Sequence, residues 1–332
     1  MISLARGIAA MLGFALLAAV ARTSSDAPYL HPQRLVDVGG RRVNLYCTGS
    51  GSPTVVLDTD GDDTTSAWRF VQPAIARTTR VCSYDPPGFG FSDPLDKAQA
   101  DADGNALALH AMLRNAGIAG PIVLVGYSVS GLYDRVFADR YPSEVAGMVL
   151  VSPNVPYQDQ QLVRVAPGIG ADIAMDGVLH GCLDAAQRHA IVPGSRAYAR
   201  CVYTPPDPTM PAPLLAMIRK QWQSARLWRS FAVSSSDETE RGSSREVVAE
   251  QRSYGAMPLV VLTTTKDALA LPIPGAQKTA LVHAWIAWHR RIAAYSSVGK
   301  DIIVAGSSSS IPIDRPSAVV AAIEEIVRKV RR

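Results

Sequence analysis

The segment Pro121–Tyr141, PIVLVGYSVSGLYDRVFADRY, runs from an apolar stretch into a helix-like one, and Ser128 stands at the junction. A serine presented on such a tight turn can attack an acyl carbon, provided that a base takes the hydroxyl proton as the bond forms. Histidine is the usual base near neutral pH, and the chain has His31, His110, His180, His189, His283 and His289. His283 and His289 share an amphipathic stretch with Trp285, Trp288 and Ile292, where packing or surface roles are expected. His180 and His189 could reach Ser128 only if the segment that carries them folded over it. A second cluster, Asp58, Asp60 and Asp62, alternates as Ca²⁺-loop ligands do. Asp63 then stands where such a loop needs glycine and Arg69 where it needs a bidentate glutamate, so a solvated loop or helix start is expected and no metal or other cofactor is assigned.

Eight short runs could position these residues as strands: 34–38, 43–47, 54–57, 80–84, 122–125, 147–151, 259–262 and 301–304. Amphipathic helical stretches separate most of them, an alternation that favours a mostly parallel sheet covered on both faces. Gly39-Gly40 joins the first two runs as a hairpin, so the sheet is expected to start antiparallel. Val319, Ile323, Ile326 and Val330 mark one face of a final helix with Pro316 in its first turn. Between Val151 and Met257 the rhythm stops, in a proline-rich region with a helix-like stretch from Leu214 to Trp228 and a polar end, Ser234 to Glu240. The expected organisation is a core in two parts, 34–152 and 257–332, with a cap at 153–256 over the carboxyl edge of the sheet, where open α/β sheets place their crevice.

With 48% hydrophobic and 19% charged residues, the 332-residue chain has the balance of a globular protein rather than of a disordered one. Its formal charge is only +4, and no basic stripe interleaved with aromatics suggests nucleic acid. Arg6 followed by the apolar run Gly7–Val20 and by Ala19-Val20-Ala21 reads as an export signal at 1–21, cleaved after Ala21, and a periplasmic or secreted protein is expected. That run is shorter than the ~20 apolar residues a spanning helix needs, so the mature chain is expected to carry no membrane span. Four cysteines suit export, and the proximity of Cys182 and Cys201 suggests a bond stapling the cap.

The elbow, Leu45-Tyr46-Cys47-Thr48-Gly49, Tyr84-Asp85 with Gly88-Phe89-Gly90-Phe91-Ser92, and Ile313-Asp314-Arg315-Pro316 together resemble the α/β-hydrolase superfamily, in particular exported bacterial esterase, lipase and peptidase-like members. The resemblance covers about 34–152 and 257–330 and fades in the cap. It implies strands in the order 1-2-4-3-5-6-7-8, which would set Cys47 beside Cys82 as a second disulfide. It makes Ser128 the nucleophile position, Val129 N–H and Gly61 the oxyanion donors, and Asp267 the acid that orients an imidazolium. In some members the acid comes instead from the end of the preceding strand, where this chain has Ser152 and Asn154.

Three positions depart from the pattern. Ser309 occupies the histidine position in the loop Gly306-Ser307-Ser308-Ser309-Ser310, Ser130 replaces the second glycine of the elbow, and Asp60 stands where glycine is usual beside the oxyanion. The resemblance therefore implies a catalytically impaired relative that keeps a pocket for a small acyl- or ester-like ligand. The alternative is an active serine hydrolase that uses Ser128 with a non-standard base such as a cap histidine. Neither ligand identity nor oligomeric state is legible.

Overall fold

The structure, a computed structural model, describes residues 26–332 apart from 60, 62, 170–175, 204, 206 and 251–252. The expected export signal and Asp60 therefore lie outside the described residues.

Eight strands form one sheet: β1 Arg34–Asp37, β2 Arg42–Thr48, β3 Val55–Asp58, β4 Val81–Tyr84, β5 Ile122–Tyr127, β6 Val145–Val151, β7 Leu259–Thr263 and β8 Lys300–Ile303. Their order is 1-2-4-3-5-6-7-8. β2 pairs antiparallel with β1 and β4, and the remaining pairs are parallel. Gly39 and Gly40 turn the β1–β2 hairpin with φ of 100° and 86°, a region that L side chains rarely enter. The central strands β3, β4, β5 and β7 are buried at every position, which explains why they read as continuous apolar runs.

One face of the sheet packs against α1 Ala102–Ala116 and α2 Ser130–Arg140 through Leu109, Met112, Val136 and Phe137. The other packs against the last helix, Pro316–Val330, through Val319, Ile323 and Ile326. Register places Cys47 opposite Cys82 on β2 and β4, and the two are bonded, as the resemblance implied.

The residues between β6 and β7, strands adjacent in the sheet, form a helical layer: α3 Asp176–Gln187, α4 Arg196–Cys201, α5 Ala212–Gln221, α6 Ala225–Ser234 and α7 Asp237–Glu250. Cys182 on α3 is bonded to Cys201 on α4, inside a separate apolar cluster with Leu214, Trp222 and Trp228. The stretch 214–228 is two helices rather than one. Ser224 Oγ accepts from Leu227 N–H at 3.2 Å and starts a new helix, and Trp228 Nε1 donates to the Trp222 carbonyl at 2.8 Å across the break. The polar end, 234–240, spans the last residue of α6 and the first turn of α7, whose Ser243 Oγ and Glu246 Oε2 accept from the Ala102 and Asp103 N–H groups at the start of α1. Arg226 on α6 donates to the Gly90 carbonyl at 2.8 Å, so Gly88-Phe89-Gly90-Phe91-Ser92 is a seat for the helical layer. A side chain at Gly88 would meet Ser230 at 2.4 Å.

Candidate functional site around Ser128

Ser128 follows β5 and precedes α2 with φ of 58°, a left-handed conformation that costs a non-glycine residue about 1–2 kcal/mol. Three backbone hydrogen bonds hold it there: Ser128 N–H donates to the Val151 carbonyl at 3.0 Å, and its own carbonyl accepts from Gly131 and Asn154 N–H at 3.0 and 2.9 Å. Gly126 is required because a Cβ there would lie 2.4 Å from the Asp134 carboxylate on α2. Gly131 is required for a similar reason, since its Cβ would meet Pro153 at 2.5 Å. Ser130 is buried without displacing the elbow, because its hydroxyl finds a partner in the Thr59 carbonyl. The expected bulk of that side chain is thus converted into a tie between the elbow and the loop after β3.

That tie brings the expected oxyanion donors together. A Cβ on Gly61 would stand 3.2 Å from Val129 Cγ1, so the loop after β3 lies directly against the residue that follows Ser128. Asp58, the last residue of β3, is buried beneath this loop and faces Asp134. Burial pushes the Asp58 carboxyl up to about 6, against hydrogen bonds from the Tyr84 hydroxyl and the Thr59 N–H that favour its ionised form. Burial and the neighbouring Asp58 push Asp134 well above the usual carboxylate range. Burial thus drives both carboxyls toward their protonated forms, and the charge of Asp58 drives Asp134 further. Sequence reasoning counted Asp58 only as a possible cation ligand and missed Asp134 altogether.

On the far side, Asp267 lies in the first turn of Lys266–Ala270, after β7, and its Oδ2 accepts from Ser309 N–H at 2.6 Å. The acid position and the departed histidine position are therefore in contact across 42 residues of sequence. The serine loop is fastened further by Asp314, which accepts from Ser308 N–H at 2.7 Å and from the Ser308 hydroxyl at 2.6 Å. Those bonds and the charges of Lys266 and Arg315 outweigh burial and lower the Asp314 carboxyl.

The Ser128 hydroxyl donates to Asn154 Oδ1 at 3.4 Å. Asn154 lies three residues after β6 and, with Ser152, stood at the alternative acid position; here it supplies a neutral amide. No imidazole takes that place among the described residues. His289 is buried, with Nδ1 2.8 Å from Thr263 Oγ1 and Nε2 2.9 Å from the Pro153 carbonyl, and burial lowers it to about 4. His110 stacks on Tyr141 at 4.0 Å and pairs with Glu144. His31, His180, His189 and His283 are exposed.

A narrow cleft of about 20 Å³, partly open to solvent, lies next to the elbow, with Tyr127, Asp63, Arg69 and Ser310 from the core and Tyr203, Asp207 and Met210 from the helical layer among its walls. The cleft thus draws on the end of β5, the loop after β3, the serine loop and the segment between α4 and α5. No histidine lines it among the described residues. Within those residues no group of three or more His, Cys, Asp or Glu could hold a metal ion.

This sheet order, with a strained serine after the fifth strand, defines an α/β-hydrolase-fold protein. Residues 57–188 match the family model described as alpha/beta hydrolase fold. The chain is similar to an uncharacterized protein of Schizosaccharomyces pombe, 41% identical over 24% of this chain and 15% of that protein. It is also similar to the 2-hydroxy-6-oxo-2,4-heptadienoate hydrolase of Pseudomonas putida, 32% identical over 36% of this chain and 43% of the enzyme. The chain spans less than half the length of these curated relatives. The crystal structure of DBJA superposes with a TM-score of 0.65 at 16% identity, covering 90% of this chain and 98% of that one, a likeness of fold.

Proposed function

We propose that the protein is a catalytically impaired relative of the serine hydrolases that binds a small acyl- or ester-like ligand in the cleft beside Ser128. The observation that carries this reading is the contact between Asp267 and Ser309. Where a triad would interpose an imidazole, the carboxylate meets a backbone amide, and Ser309 has no group able to take a proton near neutral pH. Asn154 does not replace it, because an amide oxygen accepts a hydrogen bond without being a base. Loss of the triad base costs on the order of 10⁶ in turnover. Ser128, Asp267, Gly61 and Val129 are assigned by this reading to the inherited site, with Asp60, Ser130 and Ser309 as its departures.

The retained strain at Ser128 favours the alternative of an active hydrolase, since strain persists where it is functional. The buried environment of His289 and the solvent-facing positions of four other histidines weigh against it. The residues at 153–256 act as the cap in this reading. The two disulfides support an exported, periplasmic or secreted protein, and among the described residues no helix is long and apolar enough to cross a membrane.

A fluorophosphonate probe and short-chain aryl esters test the proposal. Labelling of Ser128 and ester turnover are expected near background. Strong labelling abolished by Ser128→Ala would refute it.

A further inference from the structure

Ser128 leans on a second residue in the left-handed region. Ser152, just after β6, has φ of 46° and begins the corner Ser152-Pro153-Asn154. Asn154 supplies the N–H that donates to the Ser128 carbonyl and the amide oxygen that accepts from its hydroxyl. Ser152 N–H ties the corner to the Leu262 carbonyl on β7 at 2.8 Å. A second tie comes from His289 on the helix Gly275–Ala293, whose Nε2 lies 2.9 Å from the Pro153 carbonyl. On the other side of the ring, Nδ1 lies 2.8 Å from Thr263 Oγ1 at the end of β7, and that oxygen also contacts Asp301 Oδ1 on β8. Thr263 and His289 have no exposed surface, and the Asp301 side chain is only 4% exposed.

Each of these three contacts needs one hydrogen. A carbonyl only accepts, so Nε2 carries a hydrogen. In a neutral imidazole Nδ1 is then a lone pair, which receives the Thr263 hydroxyl proton. That hydroxyl has no second proton, so the contact with Asp301 is completed by a proton on the carboxyl. The other complete arrangement moves this proton to Nδ1 and creates a buried imidazolium and a buried carboxylate. Burial opposes both charges, lowering His289 to about 4 and raising Asp301. Among the described residues, the charged groups beside Asp301 are Arg290, exposed and with Nε 3.9 Å from Asp301 Oδ2, and Lys300, which pairs with Glu325. Asp301 Oδ2 is buried without a hydrogen-bond partner, which suits a neutral carboxyl better than an ionised one.

We propose that a protonated Asp301, the Thr263 hydroxyl and His289 form a one-proton relay that positions the corner behind Ser128, with Asp301 as its switch. When Asp301 ionises, it draws the Thr263 hydroxyl proton to itself. Thr263 Oγ1 and His289 Nδ1 then face each other with two lone pairs, and the imidazole loses the orientation that serves Pro153. A raised carboxyl keeps the relay whole at low pH and releases it as pH rises through the folded-state value. His289 is a positioning residue in this account, whether or not Ser128 reacts.

Heteronuclear NMR on the disulfide-bonded protein between pH 5 and 9 tests it, with His289→Gln assigning the imidazole signals. At pH 5 His289 is expected to be neutral with its hydrogen on Nε2, and its Nδ1 signal should shift as pH rises. Exchange protection of the Asn154 amide should fall about tenfold over the same range, as for one lost hydrogen bond. Asp301→Asn gives Thr263 a permanent N–H donor, so the Nδ1 signal and the Asn154 protection should keep their pH 5 values up to pH 9. An imidazolium or an Nδ1–H tautomer at pH 5, a parent whose His289 signals do not move between pH 5 and 9, or an Asp301→Asn variant that titrates like the parent would overturn the relay.

Discussion

Asp134→Asn should stabilise the protein at alkaline pH, although it alters a residue with no exposed surface. In the parent, Asp58 titrates at about 6, whereas an aspartate in the unfolded chain titrates near ~3.9. A folded-state pKa above the unfolded one means that the native state holds the proton more tightly. The stabilisation is therefore complete below ~4 and is lost as pH rises through about 6. For Asp58 alone the loss by pH 8 is about 3 kcal/mol, and because burial causes it the variant keeps it; what asparagine removes is the loss at Asp134, about 1.4 kcal/mol for each pH unit between ~4 and its raised value. Asparagine keeps the shape that fits against Gly126, carries no charge, and offers an N–H to the ionised Asp58 carboxylate. Urea unfolding at a series of pH values should show the variant more stable at pH 8 by at least ~1 kcal/mol, with the advantage growing by about 1.4 kcal/mol per pH unit above ~4 and vanishing toward pH 4. The groups acting on Asp58 are the Tyr84 hydroxyl, the Ser130 hydroxyl and the Thr59 N–H, and none supplies a compensating cation. Equal stabilities at pH 8, or parallel pH profiles, would refute the raised Asp134 carboxyl.

Ser309→His should place an imidazole beside Asp267 and raise aryl-ester hydrolysis weakly, and adding Asp60→Gly should give more than the product of the single effects, because residues of one catalytic unit are non-additive. A folded double variant no faster than the parent would show that the serine loop does not present residue 309 to Ser128. Replacing Cys182 and Cys201 by alanine together should cost about 3 kcal/mol in chemical denaturation, the loop-closure value for a separation of 19 residues. His289 is lowered to about 4, so its contribution is present above ~6.5 and is lost as pH falls toward that value, about 3 kcal/mol in all. His289→Gln should flatten the acid limb of the stability profile, and an unchanged slope between pH 6.5 and 4 would count against this account.

Local pattern alone was enough for much of the architecture. Apolar runs of strand length recur between helical stretches, and all eight expected strands lie within two residues of the observed ones, because strands buried on both faces, such as β5 and β7, are drawn almost wholly from apolar residues. The Ser128 elbow was legible for a related reason. Its glycine, its serine and its apolar lead-in are demands of one short turn, and neighbours in sequence are necessarily neighbours in space. The Cys182–Cys201 bond followed from the same proximity.

The chemistry of the site was decided by contacts that no local window contains. Asp267 meets Ser309, Ser128 meets Asn154, and Arg69 meets Asp207 because separate strands and loops end at one edge of the sheet. Asp134 shows the limit most clearly. On an isolated helix an aspartate at that position reads as a solvated residue. Residues 130–139 are all buried, however, because α2 is enclosed by the sheet, α1 and α7. Burial depends on what packs over a residue, and burial is what makes an ordinary carboxyl hold its proton far above its usual range.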